Sequence, residues 1–335
     1  MRPRAPIPRI VEVVETKRVL EEKGRKGVMT EREMSLNELV HDLDELFSIR
    51  EWDADPAMSR FVPRVYEAIG YDHTRTLEVD FCKRYNGLML RSGDAVREVY
   101  CAAFPSPEVL EELLAATSGD ALLFIHHPID MEVSGVGFLP ISPANLERLR
   151  ERGVSIYACH APMDCHAEIG TSASIVKAFE VEVAQSFAAY GNGDAGRIGF
   201  IPSVDLDELV SRGKAIFGVE RVEIGGARPS SVTKVAIVAG GGDDVELLEE
   251  AERLGAEAYI TGEWYTRTKP RDKAGGEWAA GNRAACVAYA ESSKMALLGF
   301  SHAATEYLVM KTQMADYFGT KGVKATCLEQ SDWWR

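Results

Sequence analysis

The chain has 335 residues, 46% of them hydrophobic and 27% charged, which is ordinary for a globular protein of about two domains with a sizeable core. Its 52 acidic residues outnumber 38 basic ones, for a net charge of −14. That argues against generic nucleic-acid binding, which needs a basic footprint. No apolar run approaches the ~18 residues of a membrane span. The opening Met1-Arg-Pro-Arg-Ala-Pro-Ile-Pro-Arg9 lacks the apolar stretch of a signal peptide. Six scattered cysteines read as free thiols in a reducing compartment, so a cytoplasmic protein is expected.

Residues 1–33 are mixed in charge and rich in Pro, Lys, Arg and Glu. They read as a partly disordered appendage with an exposed helix over 11–26, and Met29 or Met34 is an alternative start. From Ser35 the period turns helical: Leu36, Leu39, Val40, Leu43, Leu46 and Phe47 recur at three and four, and Ser35 with Glu38 forms a capping-box signature. An irregular stretch follows. Strands are expected at 86–90 and 96–102, a helix at 107–116, and a strand at 121–125. Next come a helix at 143–152 closed by Gly153, a strand at 154–158, and a helix at 171–190 stopped by Gly191. The segment 197–226 reads as strand-rich. A strand at 234–239 leads through Gly240-Gly-Gly242 into a helix at 244–254. The remaining elements are a strand at 258–261, a helix at 283–293, a strand at 295–298 and a helix at 303–317. Strands and helices alternate almost throughout, so the class is α/β.

The most telling residues close the apolar strand Ala121-Leu-Leu-Phe-Ile125: His126 and His127, then Pro128. Proline cannot donate to a ladder, so the strand should end there. Carboxyl ends of buried strands are where α/β proteins place their chemistry, and neutral imidazole is the commonest side-chain metal ligand. Adjacent side chains diverge in a regular strand, but at a broken strand end both can turn toward one cavity, a geometry suited to two neighbouring ions. Three further clusters stand out. His160-Ala-Pro-Met-Asp164 and Thr261-Gly262-Glu263 each follow a strand, and His302-Ala-Ala-Thr-Glu306 places two ligand types on one helix face. Each has a bland reading as well: an interior hydrogen-bonded histidine, a helix-surface ion pair for His302 and Glu306, a loop-end cap for Glu263. Cys159, His160, Cys165 and His166 also invite a structural zinc site, although the spacing is not the short Cys-x(2–4)-Cys loop such sites use. Gly240-Gly-Gly-Asp-Asp lacks the Gly-Lys-Ser/Thr ending that grips phosphate and reads as a tight turn.

The order of these clusters resembles the Nif-three-like family, some members of which are described as GTP cyclohydrolase type two. The matching stretches are Phe124-Ile-His-His-Pro128, Ala158-Cys-His-Ala-Pro-Met-Asp164, Ala256-Glu-Ala-Tyr-Ile-Thr-Gly262 and His302-Ala-Ala-Thr-Glu306, with Asn86-Gly-Leu88 and Gly196-Arg-Ile-Gly199 as lesser likenesses. The resemblance spans about 35–318. It implies two α/β lobes with a dinuclear metal site in the cleft between them, and a toroidal homohexamer. The lobes would be 34–190, completed by 294–335, and 191–293. Carried over by position, the metal ligands would be His126, His127, Asp164, His302 and Glu306, and His160 a catalytic residue beside them. Two departures border the expected cavity: Thr261-Gly-Glu-Trp-Tyr-Thr-Arg-Thr-Lys269 lacks a family histidine, and Cys165-His-Ala-Glu-Ile-Gly-Thr171 replaces a glycine-rich stretch.

The resemblance implies two divalent ions per chain; imidazole and carboxylate ligands suit Zn, Fe, Mn or Co, Glu306 is the candidate bridging carboxylate, and His126 and Asp164 are assigned to one ion, His127 and His302 to the other. Such ions, about 3.5–4 Å apart, activate a shared water. The expected function is a metal-dependent hydrolase acting on a small molecule, a nucleotide in the GTP cyclohydrolase-like case. The alternative is a metal-binding regulatory or metal-delivery protein without turnover.

Overall fold

The computed structural model describes residues 33–130, 137–267 and 273–334. The expected helix at 11–26 and the rest of the appendage up to residue 32 lie outside them. The described residues form two main mixed sheets with helices on both faces, an α/β protein as its sequence pattern implies.

The first sheet has five strands in the order Lys324–Cys327, Glu98–Ala102, Ala121–Ile125, Val154–Ala158 and Gly87–Leu90. All neighbours run parallel except the last pair. Parallel strands are covered on both faces and so read as continuous apolar runs, and both 121–125 and 154–158 are buried at every position. Alternate side chains serve opposite faces. Val99, Cys101, Leu122, Phe124 and Tyr157 pack toward helix Leu36–Leu46 and the C-terminal helical segment. Tyr100, Leu123, Ile125 and Ile156 pack toward helices Met58–Ala68, Pro107–Ala116 and Pro143–Glu151.

The second sheet has six strands in the order Glu223–Gly226, Ala296–Gly299, Ala258–Glu263, Val232–Gly241, Gly193–Val204 and Glu182–Tyr190. Its three inner strands from 232 to 299 are parallel; the others pair antiparallel. The boundary expected at 190/191 therefore falls in the turn of a hairpin within this one sheet, and strand 296–299 also pairs here.

The helical stretch from His302 to Thr320 joins the two packing systems. Ala303, Tyr307, Met310, Met314 and Phe318 recur at helical spacing in the core of the five-stranded sheet, while Ala304 and Leu308, on an adjacent stripe, pack with Val235, Ile237, Ile260 and Leu298 of the six-stranded sheet. A π-helical turn at Met310–Met314 interrupts it. Fully burying a side chain such as Phe318 contributes about 1.5–3 kcal/mol, so the helix that carries His302 and Glu306 is held from two sides.

Several elements differ from expectation. The stretch 48–85 is not irregular: it holds helices Met58–Ala68 and Val79–Arg84. Pro63 inside the first reads as a breaker, yet Met58, Val62, Val65 and Tyr66 still bury one face. The helix expected at 171–190 ends at Ala178. Glu180 then takes φ 53°, and the chain turns into strand 182–190. Within 197–226 lies helix Leu206–Phe217, capped by Asp205 through Glu208 N at 2.8 Å and closed by Gly218 at φ 69°. The helix expected at 283–293 runs Lys273–Ala290. Ser35 occupies an N-cap position, but its hydroxyl makes no capping bond; Leu36 N is satisfied instead by Asp94 O at 2.8 Å. Among the described residues no helix is long and apolar enough to cross a membrane.

Candidate metal centre

Pairing with the neighbouring strand does not stop at Ile125: His126 N and His127 N bond the carbonyls of Ala102 and Ala103 at 3.3 and 3.0 Å. Both rings are nevertheless directed into one buried space, 4.5 Å apart and nearly perpendicular. His126 is fully buried and His127 is 1% exposed. Nδ1 of His126 lies 2.8 Å from the Cys159 carbonyl. A carbonyl only accepts, so Nδ1 carries the proton and Nε2 is free to ligate. Nε2 faces Asp164 Oδ1 at 3.3 Å and Glu306 Oε1 at 3.5 Å, with no hydrogen-bond partner. His127 Nε2 is 2.9 Å from Glu306 Oε2, and its ring stacks on Phe104 at 4.4 Å.

From the other side come His302 and Glu306, one turn apart on the wedged helix. His302 Nε2 lies 3.0 Å from Glu306 Oε1, while Nδ1 faces Glu263 Oε1 at 3.5 Å. The helix starts at Ser301, whose φ of 92° turns the chain sharply out of strand 296–299. Gly240, at φ 65°, passes so close that a Cβ there would lie 2.0 Å from Glu306 Oε1, and its N–H donates to Thr305 Oγ1 at 3.0 Å. The glycine loop thus serves as a close backbone approach as well as a turn. Asp164 projects from the short helix Ala161–Cys165 and accepts from Thr171 Oγ1 at 2.7 Å.

All six residues singled out in the sequence are brought together. Their ligand atoms form three groups, each within 4.8 Å: His127, His302 and Glu306; His126, Asp164 and Glu306; His126, His127 and His160. Glu306 is 3% exposed, so its pairing with His302 is not the exposed helix-surface ion pair that the spacing allows. Glu263 closes its strand facing His302 and is not merely a loop-end cap. The zinc alternative finds no support among the described residues. Cys159 packs in the apolar core, Cys165 Sγ donates to Tyr190 O at 3.4 Å, and His166 Nδ1 accepts the Glu168 and Ile169 amides. Burial pushes the Cys159 thiol well above its usual range and the Cys165 thiol up to about 12.

Sequence reasoning missed Asp55 and Asn86, which hold His160, and Thr171, which holds Asp164. Asp-Pro followed by an apolar period marks Asp55 as a helix start, but nothing local marks it as a partner of His160.

The electrostatics fit a cation. Burial opposes charge on Glu306, His126, His127 and His302, and the clustered partners overrule it for all but His127. Burial alone would raise Glu306, but His302, His127 and His126 hold it well below the usual carboxylate range. Burial alone would lower His126, but Asp164 and Glu306 raise it to about 10; Glu306 and Glu263 likewise raise His302 well above its ordinary value. His127 is driven down to about 3 by burial, with His126 and His160 adding to it against Glu306. Buried imidazoles and carboxylates aimed at one another need a proton or a metal between them, and metal binding to such a set displaces protons.

A pH dependence follows. His126 and His302 have raised folded-state values, so their contribution to stability is fully present below 6.5 and is lost as pH rises through about 10 for His126. His127 acts oppositely: its lowered value costs stability as pH falls below 6.5 toward about 3. The chelator-treated protein is therefore expected to lose stability from pH 6.5 toward 10, whereas metal-loaded protein, whose ligating imidazoles are already neutral, does not. Denaturant midpoints of both forms across this range check it; identical profiles would contradict it.

Residues 75–274 match the model of the Duf34/NIF3 (NGG1p interacting factor 3) family. The chain is 28% identical over 182 residues to the GTP cyclohydrolase 1 type 2 homolog of Deinococcus radiodurans, covering 53% of this chain and 66% of that protein. It is 27% identical over 250 residues to the protein of the same name from Pyrococcus horikoshii, covering 72% and 88%. The crystal structure of TTHA1606 from Thermus thermophilus shares the fold, with a TM-score of 0.57 at 20% identity over 89% of this chain and 99% of that one. From the family match and the order of its site residues along two sheets, the chain belongs to the Duf34/NIF3 family.

Proposed function

We propose that this protein is a metal-dependent hydrolase of the Duf34/NIF3 family acting on a nucleotide-type substrate. The observation that carries the reading is the Glu306 carboxylate, shared between two donor groups, His126 with Asp164 and His127 with His302. Imidazole and carboxylate together suit Zn, Fe, Mn or Co, and a carboxylate with two oxygens is the natural bridge between two cations. When bound, divalent ions at such a donor set supply Lewis-acid chemistry, polarising an electrophile and acidifying a water. The chain's own residues do the rest. Glu306 holds negative charge inside the site, and Asp164, fixed by Thr171, adds a second carboxyl group. Phe104 and Glu263 orient His127 and His302. Nε2 of His160, 3.9 Å from Asp164 Oδ2, accepts a proton released there. The relatives named GTP cyclohydrolase 1 type 2 homolog support a purine-type ring as the electrophile.

We further place the site in the cleft between two α/β lobes, within a cytoplasmic homo-oligomer. Six free cysteines support the compartment. Val183 and Phe200, 44% and 47% exposed on the outer hairpin of the six-stranded sheet, support self-association. One observation favours the non-catalytic metal-binding alternative: five of the six site residues are at most 8% exposed, leaving a substrate little access without movement around His302.

Metal-loaded protein, screened against nucleotides and phosphoesters, is expected to show metal-dependent turnover that rises with pH through an apparent value near about 7, belonging to the coupled site. His160→Ala is expected to lower the rate at least about 100-fold while keeping its metal. Fully metallated protein without turnover from pH 6 to 9 would establish the binding role instead.

A further inference from the structure

Asp55 lies outside the residues that match the family, in the loop before helix 58–68. It is fully buried. Its two oxygens face donors on every side: the backbone amides of Ala57 at 3.0 Å and Met58 at 2.8 Å, which open that helix; the amide of Ala161 at 3.0 Å; Nδ2 of Asn86 at 3.1 Å; and Nδ1 of His160 at 3.1 and 3.2 Å. Backbone amides cannot accept a hydrogen bond, so a proton on Asp55 would have no partner among them. The carboxyl is therefore held ionised, below the usual carboxylate range, by His160 and the Met58 and Ala161 amides against the cost of burial. An ionised carboxylate only accepts, so the ring nitrogen facing it must be N–H.

Asn86 completes the arrangement. While its Nδ2 donates to Asp55, its Oδ1 accepts the backbone amide of His160 at 2.7 Å. Main chain and ring of His160 are thus fixed by one linked pair. Asp55 also accepts the first amide of helix 58–68, from Met58, so that helix and the loop at 160–161 are tied together through a single carboxylate.

We propose that Asp55 is a positioning residue that locks His160 in its Nδ1–H tautomer, so that the Nε2 lone pair is presented to Asp164, His126 and His127. A carboxylate behind a working imidazole fixes ring orientation and raises its basicity, and removing such a partner typically costs about 10–100-fold in activity or metal affinity. The inference deepens the proposed function, because it supplies the reason His160 is a proton acceptor at that site, and it rests on that reading only for the catalytic consequence.

The test is long-range proton–nitrogen NMR of the imidazoles in the full chain, chelator-treated and zinc-loaded, with the His160 signals identified by their loss in His160→Gln. In wild-type protein, at a pH where the His160 ring holds a single proton, that proton is expected on Nδ1 in both forms. Asn86→Ala is expected to keep that tautomer, because Asp55 remains. Asp55→Asn is expected to lose it for most of the population, and to lower kcat about 10–100-fold with KM little changed. A wild-type His160 whose single proton lies on Nε2 would overturn the assignment even if Asp55→Asn failed to fold. An unchanged tautomer in folded Asp55→Asn would overturn it too. Absence of turnover in wild type with an Nδ1–H His160 would refute the hydrolase reading and leave the tautomer assignment standing.

Discussion

Gly240→Ala is expected to damage the centre more than any other single-methyl change. The backbone there has φ 65°, a left-handed conformation that costs an L-residue roughly 1–2 kcal/mol. The added Cβ would also meet Glu306 Oε1 at 2.0 Å, Glu306 Cδ at 2.9 Å and His302 Nε2 at 3.0 Å. Those side chains have little room to yield: Glu306 is buried and tied to three histidines, and His302 sits against Glu263. Overpacking of this kind adds about 1–3 kcal/mol, for a total destabilisation of roughly 2–5 kcal/mol, together with loss of metal from the group that uses His302. Gly322→Ala is the control. Its φ of 76° carries the same backbone strain, but nothing lies within 4 Å of its added Cβ. Denaturant unfolding of both variants, with metal content measured in parallel, checks the prediction. A Gly240→Ala protein no less stable than Gly322→Ala and fully metallated would contradict it.

Glu306→Gln is expected to have the largest effect on the site itself. An exposed i,i+4 pair is worth only about 0.2–0.5 kcal/mol, and the sequence alone could not exclude that reading. The structure removes it: the Glu306 side chain is 4% exposed and faces His126, His127 and His302 at once. Glutamine keeps the size but loses the charge and one acceptor. In metal-free protein, the proton on His302 loses its main partner and that on His126 its second, after Asp164, and breaking a buried pair from one side costs about 3–5 kcal/mol. In metal-loaded protein, both donor groups lose their shared ligand, so at least one ion should be absent. Unchanged metal content, or unchanged stability of the chelator-treated form, would show that Glu306 is not the shared carboxylate.

How much of this was legible in the sequence depended on what carried the signal. The strands 121–125 and 154–158 and the helix 107–116 were readable to the residue, because a continuous apolar run, a β-branched and aromatic run closed off by Gly153, and a Ser-Pro start mark them in turn. The hairpin from 182 to 204 was hidden. The residues of 182–186 are all exposed, so the strand shows no alternation until Phe187, and its run of Ala, Glu and Gln favours helix locally; pairing with 193–204 decides the outcome. Helix 58–68 was masked by Pro63. At the site, His126, His127, Asp164, His302 and Glu306 were legible because each sits beside a strand end or at helical spacing. Asp55 was not, since it lies about a hundred residues from His160 and nothing local pairs a carboxylate with a ring that only the fold brings near. Gly240 was legible as a turn, while its second role depends on a helix sixty residues further on.

The most direct test of the dinuclear reading is the metal content of the wild-type chain. Protein purified without chelator, or stripped and then offered Zn, Mn, Fe or Co one at a time, should be analysed for metal per chain. The expected result is about two divalent ions per chain, falling by at least one in Glu306→Gln. A folded chain that takes up none of these metals, or a wild type and Glu306→Gln with the same content, would contradict it.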